Sequence, residues 1–230
     1  MILYAIPTPL GGSLEDSLPA GGVRVVRALR DFAVENAKSA RAFLKAAGVD
    51  LKAVSITEVE QHADCLKVLR EGRSLGLLSE AGCPAIADPG AALIEAAHAG
   101  GFRVVPLVGP SSIVLALMAS GLEGQRFAFC GYLPRDAAER KRRIHELERR
   151  SRAERETEIF IETPYRNEAL LGALLEACRD DTRLCVAADL TLPSETIAVQ
   201  RIAQWRRAGF SLGKRPAVFL LLADSASRSP

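Results

Sequence analysis

The stretch "LLSEAGCPAIADPG", residues 77–90, combines residue types that are suited to holding a small ligand. Gly82 and Gly90 let the backbone approach a ligand closely or adopt positive φ, and the two prolines stiffen the loop. N–H groups at the start of the helix after Gly90 form a potential site for an anion or carboxylate. Asp88 has two interpretations, since it either caps that helix or binds a ligand hydroxyl or amine. The stretch therefore indicates a ligand site built largely from main-chain atoms.

Two further loops place polar side chains in a similar setting. In "GPSS" (109–112), Gly and Pro shape a turn, and Ser111 or Ser112 is placed to cap the helix that follows or to bind a ligand. The stretch "IETPYR" (161–166) lies just past an apolar run, and its alternative interpretation is an ordinary polar loop with a half-buried tyrosine. Its polar residues are Glu162, Thr163, Tyr165 and Arg166.

Motifs for several common site classes are missing from the chain. No G-x-G-x-x-G follows the first apolar run and no G-x-x-x-x-G-K-[ST] occurs, which argues against a classical dinucleotide site or P-loop. The five cysteines include no C-x-x-C pair and no histidine at ligand spacing, so we predict free thiols, no disulfide framework and no metal site.

Composition predicts an ordinary soluble protein. Hydrophobic residues make up 48%, charged residues 25%, and the formal net charge is +2, so charge alone predicts no partner. The N-terminal "MILYAIPTPLGG" has no basic region typical of a signal peptide, and prolines, glycines and serines interrupt the most apolar window before it could span a bilayer. We expect a cytoplasmic protein with no membrane association.

Strand and helix patterns alternate over the first half of the chain. This alternation is typical of an open, mostly parallel α/β sheet with helices on both faces, in which ligands bind beyond the carboxyl ends of the strands. The loops "TPLGG", "SEAGCPAIADPG" and "GPSS" all occupy such positions. Strands are predicted at 2–7, 32–35, 52–57, 74–79 and 103–109, and helices at 22–31, 39–48, 60–72, 89–101 and 110–121.

The pattern changes after Gly121, and we place a domain boundary near 118–126, giving domains 1–120 and 121–230. A heavily charged helix is predicted over 135–157, and the last eight residues, "ADSASRSP", predict a frayed tail. The stretch 126–134 predicts a strand followed by a loop. The other predicted strands are 158–162, 183–190, 195–202 and 216–222, with helices at 167–180 and 203–209.

Six segments together carry a resemblance to a known family. They are "YAIPTPLGG", "GLLSEAGCPAIADPG", "VVPLVGPSSIVLALMASGL", "FCGYLP", "IFIETPYR" and "ADLTLPSETI", in this order along nearly the whole chain. The set resembles the tetrapyrrole-methylase superfamily of S-adenosylmethionine-dependent methyltransferases, and within it the group that methylates ribose 2′-hydroxyls of ribosomal RNA. The resemblance implies an α/β, two-domain tetrapyrrole-methylase-like fold, each domain a mixed sheet flanked by helices, with the cofactor cleft between them. It also implies a homodimer and a ribosomal RNA or small ribosomal subunit as partner.

The resemblance further implies which residues bind S-adenosylmethionine. Carried over residue by residue, this cofactor-binding set is Leu10, Gly82, Asp88, Ser111, Ser112, Ile113, Tyr165 and Leu190.

Methyl transfer to a ribose hydroxyl needs a general base as well as alignment, because the hydroxyl is a weak nucleophile. We predict Glu35 as this base, with Arg166 holding a phosphate or substrate oxygen. The alternatives are a solvated or helix-start carboxylate for Glu35 and a salt bridge between loops for Arg166.

Departures from the family pattern fall where the substrate is expected. E-D-T-R of the ribosomal RNA group is Glu35-Asn36-Ala37-Lys38 here, H-N-E is Ile56-Thr57-Glu58, and Gly12 stands in the Asn position of T-P-I-G-N. Two alternatives therefore stay open: methylation of a small substrate such as a tetrapyrrole, and a non-catalytic S-adenosylmethionine-binding protein. Residues 135–155 hold nine Lys or Arg against five Asp or Glu, which suits either a phosphate-facing element or a plain solvated helix.

Overall fold

The computed structural model describes residues 1–223 and divides into two compact units, Met1–Ser111 and Ser112–Pro230. The predicted tail, apart from Ala223, lies outside the described residues. Each unit contains one five-stranded sheet with helices packed against it.

The sheet of the first unit is parallel throughout, with strand order β3-β2-β4-β1-β5. The two strands "DFAV" and "LGLL" are buried at every residue, as expected for central strands covered on both faces. The strands are β1 (Ile2–Ile6), β2 (Asp31–Val34), β3 (Ser55–Glu58), β4 (Leu75–Leu78) and β5 (Arg103–Pro106).

Helices cover both faces of this sheet. One hydrophobic cluster joins the first three helices to Phe32, Val34 and Leu78, and a second joins the last two helices to Ala33 and Leu77. Alternate strand residues therefore serve opposite faces. The helices are α1 (Leu14–Ser17), α2 (Ala20–Ala28), α3 (Ala37–Ala46), α4 (His62–Arg70) and α5 (Ala91–Ala99).

The second unit has a mixed sheet of order β6-β7-β10-β8-β9. The pair β6–β7 is parallel, and the other three neighbouring pairs are antiparallel. Its core is built on Trp205, Phe160 and Phe219, and the Trp205 indole donates a hydrogen bond of 2.9 Å to the Leu184 carbonyl. The elements are α6 (Ser112–Ser120), β6 (Phe127–Tyr132), α7 (Ala137–Glu154), β7 (Thr157–Glu162), α8 (Asn167–Ala177), β8 (Arg183–Ala188), β9 (Thr196–Arg201), α9 (Ile202–Ala208) and β10 (Ala217–Leu222).

Acidic residues from other elements pair with basic residues of the charged helix α7. Arg150 pairs with Glu158, whose side chain is fully buried, while Lys141 pairs with Glu176 and Arg152 with Asp181. These acids come from outside α7, so they offset part of the local positive charge of the helix. Pairs of the kind expected for a plain solvated helix are also present, since Arg142 and Arg143 pair with Glu146 one turn along α7. Both interpretations of the helix stay predictions.

The predicted α/β class and the order of strands and helices are confirmed, and the mixed sheet of the prediction is found in the second unit. Helix α1 was not predicted from the sequence. All five cysteines are free thiols. Within residues 1–223, no helix is both long enough and apolar enough to cross a membrane.

Candidate functional site

The loops predicted to hold a ligand in the first unit lie at one edge of its sheet. Because all five strands are parallel, the segments after β1, β2, β4 and β5 leave from the same edge, and they contain Leu10, Glu35, Asp88 and Ser111. The neighbouring strands β2 and β4 lead into helices on opposite faces. A crevice opens where connections diverge in this way, so Glu35 and the loop after β4 flank the expected ligand position.

The loop after β4 is held by main-chain contacts to the loop after β1. Thr8 and Gly82 exchange two backbone hydrogen bonds, of 2.9 and 3.0 Å, and the Ser79 hydroxyl donates to the Gly82 carbonyl at 3.1 Å. Gly82 has φ 77°, and a Cβ there would lie 3.2 Å from Leu10 Cδ2. The main chain at Gly82 is therefore bare and packed closely beside Leu10.

Three other residues of this loop have left-handed or glycine-like backbone. Ala85 and Ala87 both have φ 64°, and Gly90 has φ 124°. Left-handed alanines cost roughly 1–3 kcal/mol each and concentrate at ligand sites. The sequence predicted this freedom for the glycines but contained no signal for the alanines.

Asp88 does not cap α5. The N-cap of that helix is Gly90, which makes no side-chain capping bond, so the capping interpretation is wrong. Burial raises the pKa of the Asp88 carboxyl to about 6, and the negative charges of Glu35 and Glu80 add to the effect, while a hydrogen bond with Ser79 opposes it. Asp88 is thus a half-buried carboxylate among other carboxylates, and a positively charged ligand would favour its ionised form.

Glu35 is fixed by a residue that sequence reasoning missed. Its Oε2 accepts the backbone N–H of Glu80 at 3.1 Å, and the Glu80 carboxylate in turn accepts the Ser39 hydroxyl at 3.3 Å. The helix-start role belongs to the next residue, because Asn36 Oδ1 accepts the N–H groups of Lys38 and Ser39. Glu35 is therefore a half-buried carboxylate facing the loop after β4.

Predicted residues also gather at one edge of the second sheet, where β7 and β8 end and β9 and β10 begin. Glu162 Oε1 accepts the Thr163 N–H at 2.6 Å and the Arg166 Nε–H at 2.9 Å. Arg166 thus forms a salt bridge, as its alternative interpretation held, but with Glu162 of its own segment.

Leu190 lies in a tight turn that an arginine stabilises. Asp189 and Thr191 have φ 53° and 73°, and Leu190 between them is buried. The Asp189 carboxylate accepts the Arg215 Nε–H at 2.7 Å, and Arg215 also donates to the Ser194 carbonyl at 2.8 Å. Arg215 was not predicted from the sequence, because its partners are distant along the chain and meet it only in the folded structure.

Two polar atoms beside these residues are buried and lack a partner. Asn167 is fully buried and its Nδ2 donates to the Arg215 carbonyl at 2.6 Å, but within residues 1–223 its Oδ1 accepts no hydrogen bond. In the same part of the chain, Arg166 Nη1 donates none. Such atoms are costly unless a ligand or water satisfies them, so this edge fits a polar ligand.

The remaining predicted residues are placed differently. Ser111 closes the first unit beside Pro110, whose carbonyl accepts the Cys83 thiol at 3.3 Å. Ser112 and Ile113 begin α6, and the Ile113 side chain is buried. Tyr165 is 80% exposed. Among residues 1–223, no group of three or more His, Cys, Asp or Glu is placed to hold a metal ion.

Comparison with known proteins identifies the family. Residues 14–205 match the sequence profile of the Tetrapyrrole (Corrin/Porphyrin) Methylases. The chain belongs to the tetrapyrrole methylase family. Members of this family are methyltransferases that use S-adenosylmethionine, so the enzyme class and the methyl donor predicted from the sequence are confirmed.

Curated relatives of this tetrapyrrole methylase carry the name "Ribosomal RNA small subunit methyltransferase I". The protein from Vibrio cholerae is 34% identical over 88% of this chain, and the one from Bacillus subtilis is 33% identical over 83%. These matches cover 69% and 64% of the relatives, so the chain spans about two thirds of their length.

Solved structures confirm the predicted fold. The structural alignment with the methyltransferase CobJ covers 100% of this chain and 96% of the CobJ chain, with a TM-score of 0.66 and 19% sequence identity. The uroporphyrin-III-C-methyltransferase from Thermus thermophilus matches 96% and 94% with a TM-score of 0.59 at 20% identity.

Proposed function

We propose that this tetrapyrrole methylase transfers a methyl group from S-adenosylmethionine to a ribose 2′-hydroxyl of small-subunit ribosomal RNA. The observation that carries the choice of acceptor is the 34% identity, over 88% of the chain, to a protein named for methylating small-subunit ribosomal RNA. The donor supplies a methyl group that is already activated by the positive charge on sulfur. The protein must therefore bind the donor and the acceptor, align them, and exclude water. It must also accept the proton that the ribose hydroxyl loses.

Each unit, taken by itself, contains residues that are suited to holding a part of the donor. In the first unit, the bare main chain at Gly82 beside Leu10 provides close backbone approach, and the Asp88 carboxylate provides a negative charge for a cationic group. Ser111 lies in the adjoining loop. In the second unit, the Leu190 turn is linked through Arg215 to Asn167, whose Oδ1 accepts no hydrogen bond within residues 1–223. Ser112 and Ile113 complete the proposed set through the start of α6.

Glu35 is the proposed general base. The Glu80 N–H fixes its Oε2, which leaves Oε1 to take the hydroxyl proton. Arg166 keeps the proposed role of holding a substrate oxygen, because the pairing with Glu162 leaves Nη1 as a free donor among the described residues.

The test uses small ribosomal subunits from a strain that lacks this protein, together with S-adenosylmethionine labelled in the methyl group. The wild-type protein is expected to label the subunits. Glu35→Gln should lower the rate by roughly 10²- to 10⁴-fold and leave the cofactor Kd unchanged. Asp88→Ala should weaken cofactor binding itself.

Glu95→Gln, which changes an exposed carboxylate on α5, provides the control and should match the wild type. Unchanged turnover of Glu35→Gln would remove Glu35 as the base. Labelling of a porphyrinogen and not of subunits would establish the tetrapyrrole alternative instead.

We also propose that the enzyme acts in the cytoplasm as a homodimer, as the resemblance implies. The 24.7 kDa chain would then elute with twice its mass in light-scattering chromatography. Elution at the mass of a single chain would contradict the dimer.

A further inference from the structure

The second unit presents one aromatic ring almost wholly to solvent. Tyr165 is 80% exposed, the highest value among the large hydrophobic side chains of residues 1–223. Aromatic residues are only 5% of this sequence, and a ring of this size is ordinarily at least half covered. Its exposure therefore calls for a binding role or for flexibility of its loop.

The loop that carries Tyr165 is held firmly. The Glu162 carboxylate, itself buried, accepts the Thr163 N–H at 2.6 Å and binds the Arg166 guanidinium. The Arg166 N–H also donates to the Thr163 carbonyl at 2.9 Å, which closes a turn around Tyr165. The exposed ring is consequently presented from a fixed backbone.

A second fixed loop places a cation over this ring. Lys214 Nζ lies 5.2 Å from the centre of the Tyr165 ring, within the range of a cation–π interaction. The Lys214 loop is tied to the start of α8, because Glu168 Oε1 accepts the Gly213 N–H at 2.7 Å and Asn167 Nδ2 donates to the Arg215 carbonyl at 2.6 Å. The two loops are thus cross-linked on either side of the pair.

The charges around the pair leave Lys214 available. Arg166 and Arg215 are each paired with a carboxylate, from Glu162 and Asp189 respectively. The Glu168 carboxylate is occupied by its loop, and the hydrogen bond from the Gly213 N–H holds its pKa below the ordinary value. In the described residues, Lys214 has no ion-pair partner, so its charge is free to meet an anion.

A second exposed tyrosine leaves the neighbouring strand at the same edge. Tyr132 ends β6, is 54% exposed, and pairs with Ile161 of the parallel strand β7. Two of the three tyrosines of the chain therefore lie exposed at the carboxyl ends of adjacent strands. Exposed aromatic rings beside a cation are the features on which unpaired bases stack.

We propose that Tyr165 and Lys214 form a platform for a planar nucleobase of single-stranded RNA, with the base on the open face of the ring and the Lys214 ammonium toward a neighbouring phosphate. This inference rests on the RNA acceptor proposed above and assigns Tyr165 to substrate rather than to cofactor. The adenine of S-adenosylmethionine shares the same chemistry, so the experiment separates the two sources.

The experiment measures fluorescence anisotropy of a short, labelled, single-stranded RNA of mixed sequence, and titrates S-adenosylmethionine calorimetrically against the same full-length variants. Tyr165→Ala should weaken RNA binding roughly 5- to 150-fold, whereas Tyr165→Phe should stay near wild type. Lys214→Met should reduce the slope of log affinity against log salt by ~0.7. All variants should keep the wild-type cofactor Kd.

Phe127→Ala is the matched control, since Phe127 is an aromatic residue, 45% exposed, at the opposite end of β6. It should bind RNA as the wild type does. Loss of cofactor affinity in Tyr165→Ala with unchanged RNA binding would assign the platform to adenine and overturn the proposal.

Wild-type RNA binding in Tyr165→Ala would also overturn it, while leaving the RNA acceptor intact if the wild-type protein labels ribosomal subunits. A wild-type protein that neither binds RNA nor labels subunits would overturn the proposed function and this inference together.

Discussion

Replacing Asp88 with asparagine is expected to make the protein more stable at neutral pH. The carboxyl is half-buried near Glu35 and Glu80, and this raises its pKa from 3.8 to about 6. An acid whose pKa is higher in the folded state binds its proton more tightly there than in the unfolded chain. Its ionisation therefore lowers the free energy of unfolding as the pH rises from about 4 to about 6.

The size of the effect follows from the same pKa. A pKa of about 6 in place of 3.8 corresponds to about 3 kcal/mol of folding free energy above pH 6, and solvent access to the carboxyl reduces this toward about 2 kcal/mol. Asp88→Asn removes this cost. The variant should match the wild type near pH 4 and exceed its stability by about 2–3 kcal/mol near pH 8.

Urea unfolding followed by far-ultraviolet circular dichroism, at several pH values, measures this difference. Glu95→Gln, an exposed carboxylate on α5, is the control and should show no pH-dependent difference from the wild type. A wild-type stability profile in Asp88→Asn would contradict this expectation, because it would mean that the carboxyl is neither buried nor close to other acids. Glu35→Gln should produce a smaller change of the same sign, since the Glu35 charge is a secondary cause of the raised pKa.

Two further substitutions test other parts of the fold. Gly90→Ala should lower the free energy of unfolding by roughly 1–3 kcal/mol, because φ is 124° and the new Cβ would lie 2.9 Å from Leu77 Cδ2. Urea unfolding measures this loss. The control is Gly72→Ala, which should lose less stability because nothing lies within 4 Å of its new Cβ. Arg150→Met should lower the free energy of unfolding by about 3–5 kcal/mol, because it leaves the buried Glu158 carboxylate without its ion-pair partner. The double variant with Glu158→Leu should recover most of that loss. Equal stability of the single and double variants would contradict this prediction.

Most of the fold could be predicted from the sequence because its elements are long enough to show their period. The buried strands β2 and β4 carry the apolar runs "FAV" and "LGLL", each bounded by polar residues, as buried parallel strands should be. Helix α1 was missed because four residues do not show a helical period. A capping signal was present, since Ser13 accepts the Asp16 N–H at 3.1 Å in the pattern S-x-x-D.

The candidate site could be predicted only where a residue type reveals its own conformation. Gly82 and Gly90 were expected to allow positive φ, and both have it. The contact between Glu35 and Glu80 could not be predicted, because it joins residues 45 positions apart through a backbone N–H. The same holds for Lys214 over Tyr165, a contact between two loops that only the folded second unit brings together.

Mass spectrometry of ribosomal RNA nucleosides shows directly whether this enzyme methylates a ribose of small-subunit RNA. Small subunits from a strain without this protein are digested to nucleosides before and after incubation with the purified enzyme and S-adenosylmethionine. We expect one nucleoside to gain a methyl group on its ribose, and we expect Glu35→Gln to fail to add it. Identical nucleoside profiles before and after incubation with active, cofactor-binding enzyme would contradict the claim.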